Sequence, residues 1–153
     1  MNTIPESLQS AFFKPELIPI LFPNETEYYL QNQSNWTISE DDINKIIHHW
    51  YHNVKPLLLK YHSNRNSKQS LPWMVEGLSI FFCLLFWTNN APVKLQKWEN
   101  ELDNLPLVPL NTKERVQFIM RHPVLHHSFI QLSELIVEME KLYRKSLIIK
   151  KRK

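Results

Sequence analysis

The chain has 153 residues, 43% hydrophobic and 12% aromatic, with 18 Lys and Arg against 15 Asp and Glu. That is the length of one domain with enough apolar material to bury a core, which excludes a disordered chain. A single Gly against ten Pro sets aside hairpin turns, phosphate-cradling loops and dinucleotide fingerprints, all of which need several glycines.

The one cysteine, Cys83, sits in the most apolar stretch and has no partner for a disulfide. A reducing compartment follows, with Cys83 as a small buried hydrophobe rather than a nucleophile. The opening MNTIPESLQSAFFK lacks the basic region and apolar run of a signal peptide, so cytoplasm is the expected location.

Over residues 1–35, Pro5, Pro15, Pro19 and Pro23 keep any helix short, while Phe12, Phe13, Leu17, Ile18, Leu21 and Phe22 are too apolar for a free tail. The prediction is a Pro-rich N-terminal arm laid over the domain, with a short helix near 5–13 and another over 25–32 capped by Asn24.

A helical domain is predicted over 36–148. Ser39 followed by Glu40, Asp41 and Asp42 is a helix start, because a hydroxyl caps free amides and acids meet the positive end of the dipole. Ile43, Ile46, Ile47, Trp50, Val54, Leu57, Leu58 and Tyr61 then recur every three or four residues, giving one apolar face over about five turns. Pro56 removes a backbone bond inside this helix and should kink or break it. The polar run 63–70 reads as a loop.

Residues 71–88 are predicted to form the central helix, opened near Ser70 with Pro72 in its first turn and ended at Asn89 and Asn90. Between Leu78 and Trp87 only Ser79 and Cys83 interrupt large apolar side chains, so the helix must be enclosed. Glu76 and Gly77 near its start leave an apolar run shorter than the roughly 20 residues of a bilayer span, and no membrane span is expected. At 100° per residue, Glu76, Ser79 and Cys83 share one narrow stripe.

Further on, Leu95, Trp98, Leu102 and Leu105 suit a helix over 93–104. Residues 105–111 are extended because each proline disfavours helix before it, and Asn111 with Glu114 makes a capping box. That helix ends near Arg121 at His122 and Pro123. Leu125, Phe129, Leu132, Ile136, Met139 and Tyr143 then line a long last helix, with a basic tail over 149–153 that frays beyond Lys150. The fold class is therefore all-α, a single compact domain of five or six helices around a buried central one.

Three constellations could carry chemistry. His48 and His52, four apart on one helix, could bind a metal ion if His126 were brought to them. They resemble the histidine arrangement of DinB-type helical bundles without the rest of that pattern, and both project opposite the apolar stripe, toward water. Glu76 would be a perturbed carboxylate if buried unpaired; the plainer reading pairs it with a basic side chain or the helix dipole. No partner carboxylate or oxyanion donor can be named, and no cofactor is expected.

The third is the basic end. Lys141, Arg144, Lys145, Lys150, Lys151, Arg152 and Lys153 occur with no acid among them, leaving a net charge of −4 on the other 140 residues. Arg144, Lys145, Lys150, Lys151, Arg152 and Lys153 are the candidate contacts to nucleic acid or another anionic partner. The plainer reading is a solubilising end whose cations suit the negative terminus of the last helix.

Four stretches, IPESLQSAFF, WMVEGLSIFFCLLFWTNNAPV, VPLNTKERVQFI and HHSFIQLSELIVEMEK, together resemble the YpoC-like family of small helical proteins from Bacillus-type Firmicutes. The resemblance spans most of the chain. Members of that family are encoded beside DNA replication and repair genes, which implies a nucleic-acid setting for the basic end; the resemblance implies no activity and no site residue. The resulting expectation is a non-enzymatic helical interaction domain that meets nucleic acid or a DNA replication or repair partner through its C-terminus. The alternatives are a metal-dependent helical-bundle enzyme using His48, His52 and His126, and a structural oligomer.

Overall fold

The computed structural model of the chain describes residues 4–32 and 34–151; among these it contains helices and no strand. After short 3-10 turns at Glu6–Leu8 and Pro15–Leu17 come α1 (Ile18–Leu21), α2 (Pro23–Leu30) and α3 (Glu40–His49). A π turn, Trp50–Val54, joins α3 to α4 (Lys55–Ser63). A 3-10 turn at Ser67–Ser70 leads into α5 (Leu71–Thr88), followed by α6 (Trp98–Glu101), a 3-10 turn at Leu102–Asn104, α7 (Thr112–Arg121) and α8 (His126–Lys151).

The ends of α5 fall where the sequence places them. Pro72 occupies its first turn, and every residue from Gly77 to Thr88 is buried. By length and composition Ser67–Thr88 could cross a bilayer, yet 72% of the most apolar window in that stretch is covered by the rest of the fold. The cover comes from α8, α3, the π turn and α4. The lone glycine explains how two of these approach so closely: a Cβ on Gly77 would lie 2.8 Å from Trp50 Cζ3 and 2.9 Å from Leu132 Cδ2. Glycine is required here for space, since its φ is not positive.

At its C-terminus α5 is tied off by Asn89. The amide Nδ2 donates to the Leu85 carbonyl at 2.7 Å and to the Leu107 carbonyl at 2.9 Å, while Oδ1 accepts from Leu107 N–H at 2.8 Å. One side chain thus satisfies an orphan helix carbonyl and both backbone polar groups of Leu107 in the extended 105–111 segment. Asn90 then takes a left-handed φ of 59° and stops the helix.

Ser39 caps α3 in a full capping box with Asp42: the hydroxyl accepts from Asp42 N–H at 3.1 Å and the carboxylate accepts from Ser39 N–H at 3.2 Å. Pro56 neither breaks nor sharply ends the helix that follows. The chain inserts the π turn just before it, with Lys55 N–H reaching back five residues to the Trp50 carbonyl, so the missing proline N–H falls where the hydrogen-bond ladder has already been reset. Val54 at the end of the π turn and Leu58 beyond it remain fully buried.

The N-terminal arm belongs to the core. Leu8, Phe13, Ile18 and Phe22 are at most 1% exposed, and Phe13 stacks edge-on against Phe22 and against Phe82 of α5 at 5.3 and 6.1 Å. Burying each such side chain is worth about 1.5–3 kcal/mol. The helix of the second half of the arm begins at Pro23 rather than after an Asn24 cap.

Two expectations need correction. Residues 93–104 do not form one helix, because the arm captures their backbone first. Leu95 and Gln96 both donate to the Ser7 carbonyl, Val93 N–H donates to Glu25, and the Val93 carbonyl accepts from Tyr29. Only α6, Trp98–Glu101, and the 3-10 turn Leu102–Asn104 that follows it are helical. Asn111 forms no capping box with Glu114: at φ 57° it is left-handed, whereas a capping side chain needs an extended backbone. Instead Thr112 Oγ1 bonds to the Pro109 carbonyl. Arg115 clamps α7 to α8, with two bonds to Glu138 at 3.0 and 2.6 Å and one to Gln131 at 2.9 Å.

Candidate functional site

The polar stripe of α5 lines a groove of about 350 Å³ between the arm, α3 and α5. Its walls include Ile20 and Leu21 from α1, Asp42, Lys45, Ile46 and His49 from α3, and Glu76, Ser79, Ile80, Cys83 and Trp87 from α5. Residues three and four apart on each helix face the same way, which brings the two rows together.

Glu76 is not an unpaired carboxylate. Its Oε1 accepts from His49 Nε2 at 2.6 Å, and His49 Nδ1 in turn accepts from Asn53 Nδ2 at 2.8 Å. Asn53 lies within the π turn, so the distortion ahead of Pro56 also positions the outer member of this relay. Both His49 and Glu76 remain partly exposed at the mouth of the groove. Ser79 donates its hydroxyl proton to the Glu76 carbonyl at 2.6 Å. Cys83 is almost fully buried; burial first, and the Glu25 carboxylate second, push its thiol well above the ordinary range, which suits packing rather than attack.

Behind the groove lies a residue that the sequence did not single out. Glu25 of α2 has no exposed surface, and its Oε2 accepts from Trp87 Nε1 at 2.6 Å and from Val93 N–H at 3.1 Å. Among the described residues Oε1 has no hydrogen-bond partner. Burial raises its pKa against the lowering effect of those two bonds. Glu25 looked like any polar position on a short helix, because Asn24, Thr26 and Glu27 beside it are polar too.

The predicted histidine group is not assembled. His48 and His52 stack at 3.8 Å on the exposed side of the helix, and His52 Nδ1 is turned to the His48 carbonyl. His126 instead faces His62 at 5.2 Å, over Phe129. Burial, with His126 as a secondary cause, lowers the pKa of His62. Among the described residues no three His, Cys, Asp or Glu side chains could hold a metal ion.

The basic end continues as helix to Lys151, past the point where the sequence suggested fraying. Lys145, Lys150 and Lys151 are exposed, as is Lys141, and none of them forms an ion pair among the described residues. Arg144 folds back, bonding to Glu140 at 3.4 Å and to Asn44 at 3.3 Å. Arg152 and Lys153 lie outside the described residues. A larger depression of about 590 Å³ among Gln9, Phe12, Gln96, Lys97, Trp98 and Arg121 has no paired side chains comparable with Glu76 and His49.

No solved structure matches the chain significantly. It is 34% identical over 128 residues to the uncharacterized protein YpoC of Bacillus subtilis (strain 168), covering 83% of this chain and 76% of that protein. The model of the YpoC-like protein family matches residues 40–151, from the first residue of α3 to the last of α8, a stretch that contains Glu76, His49 and the basic helix end but not the arm. The chain belongs to the YpoC-like protein family.

Proposed function

We propose that this protein is a non-enzymatic helical interaction domain that contacts nucleic acid through the basic C-terminal end of α8. The observation that carries the reading is the set of exposed lysines at 141, 145, 150 and 151, none of which forms an ion pair among the described residues. Lys141 and Lys145 lie four apart on one face of a continuous helix. The helix dipole accounts for Lys150 and Lys151, which sit in the last turn, but its influence fades within that turn and leaves Lys141 and Lys145 unexplained. A rigid helix end carrying cations on several sides suits a phosphate backbone, where affinity comes from counterion release and carries no demand for a pocket.

Lys145→Gln, Lys150→Gln and Lys151→Gln together should weaken binding to short duplex and single-stranded DNA and to RNA in a fluorescence-anisotropy salt series. The slope of log K against log salt should fall by about one for each phosphate that a lysine no longer neutralises. These side chains are exposed, so thermal unfolding should change little, by no more than the small dipole contribution of Lys150 and Lys151. Absence of binding at low salt, or binding indifferent to the substitutions and to salt, would overturn the proposal.

A further inference from the structure

We infer that the groove along the polar stripe of α5 binds a small organic ammonium ion with an apolar body. The inference is independent of the basic helix end, which it does not use.

Along the α5 wall of the groove the polar atoms left available are acceptors. Glu76 Oε1 takes His49, and among the described residues nothing occupies Oε2. Ser79 spends its only proton on the Glu76 carbonyl, so its oxygen presents lone pairs alone. The cations at the groove have partners of their own: Lys45 lies 3.2 Å from Asp41 in an exposed pair, and His49 is held by Glu76 at 2.6 Å. Asp42 adds a second carboxylate to the lining, with its Oδ2 held by Ser39 in the capping box. An anionic ligand on the α5 wall would meet the Glu76 carboxylate, whereas an ammonium group finds a carboxylate oxygen and a hydroxyl oxygen three residues apart on one helix face.

The rest of the wall is apolar. Ile46, Ile80 and Trp87 line it, and Ile20 stands at its rim with 72% of its surface exposed. An alkyl or aryl body laid over these side chains would cover that surface. The size falls at the lower end of small-molecule sites, and the acceptors stand on the buried central helix, which holds them in place without reorganisation.

The test uses three probes of one shape, hexylammonium, 1-hexanol and hexanoate, titrated into the intact protein while the backbone amides of residues 76–83 and the Trp87 indole N–H are followed by NMR. Hexylammonium should shift these signals and bind about ten-fold more tightly than 1-hexanol, the difference expected of one charge-assisted hydrogen bond; hexanoate should not bind. Glu76→Gln should remove the ten-fold advantage and leave the alcohol unaffected. The three probes need no variant, so the comparison stands even if Glu76→Gln fails to fold. Equal binding of amine and alcohol, preference for hexanoate, no shift at these positions, or an amine advantage that survives Glu76→Gln would overturn the inference.

Discussion

Trp50→Ala should lower the stability of the fold by about 3–5 kcal/mol, the range for removing a large buried aromatic side chain. That is a large share of the roughly 5–15 kcal/mol by which a domain of this size is stable. The indole is fully buried at the start of the π turn and among the described residues its Nε1 has no hydrogen-bond partner, so packing holds it, and it packs on the bare backbone of Gly77. Gly77→Ala tests the same contact from the other side. Alanine gains about 1 kcal/mol in helix propensity, but a Cβ pinched between Trp50 and Leu132 at under 3 Å costs about 1–3 kcal/mol in overpacking. The net effect is destabilising in the natural protein. Combined with Trp50→Ala the sign should reverse, because the indole has gone and Leu132 can move into its place. Urea titrations of the four proteins in the cycle check this through their midpoints; a Gly77→Ala effect of the same sign and size in both backgrounds would refute it.

Glu25→Ala should be nearly as damaging. It strands the Trp87 indole N–H and the Val93 amide, both buried, at about 1–3 kcal/mol for each unsatisfied donor, and it releases the link between α2 and the segment after α5. Glu25→Gln keeps an acceptor in place and should be mild. The two differ from the natural protein in their response to pH. Because the folded-state pKa of Glu25 is raised above the ordinary glutamate value of 4.5, the folded protein holds this proton more tightly than the unfolded chain does. Its contribution is fully present below about pH 4.5 and is lost as pH rises through the folded pKa. Burial first, and the Glu25 carboxylate second, push the Tyr29 and Cys83 side chains upward, and a phenol and a thiol are neutral or anionic, so neither offers a cation to the carboxylate. Unfolding measured from acid to neutral pH should show a downward component in the natural protein that Glu25→Gln and Glu25→Ala lack; parallel profiles for all three would contradict this.

How much of this was legible beforehand depended on whether a feature was local. The limits of α5 could be read from Pro72, an unbroken apolar run and two asparagines, because each acts within a turn of itself. The Glu76, Ser79 and Cys83 stripe followed from the 100° step alone. The segment 93–104 was misjudged because Ser7, Glu25 and Tyr29, more than sixty residues earlier, claim its backbone, and no window of periodicity registers such a contact. Asn111 carried the right residue type for a cap and the wrong backbone conformation.

The histidines give the same lesson in a smaller space. His48 and His52 drew notice through their spacing, yet His49, at the edge of the apolar face, is the one that reaches α5. Edge positions of an amphipathic helix are where a polar side chain meets a neighbouring element, and that is the signal the spacing rule passed over. The role of Gly77 was hidden for another reason: it depends on Trp50 and Leu132 converging from two other elements.

Amide hydrogen exchange of residues 78–87 tests the enclosed central helix most directly. With α5 surrounded by α3, α4, α8 and the arm, these amides should exchange only through global unfolding. Their opening free energy should equal the value from urea titration and fall by the same amount in Trp50→Ala. Exchange of these amides at a markedly lower free energy, insensitive to denaturant and to Trp50→Ala, would show a helix that opens by itself and would contradict the account.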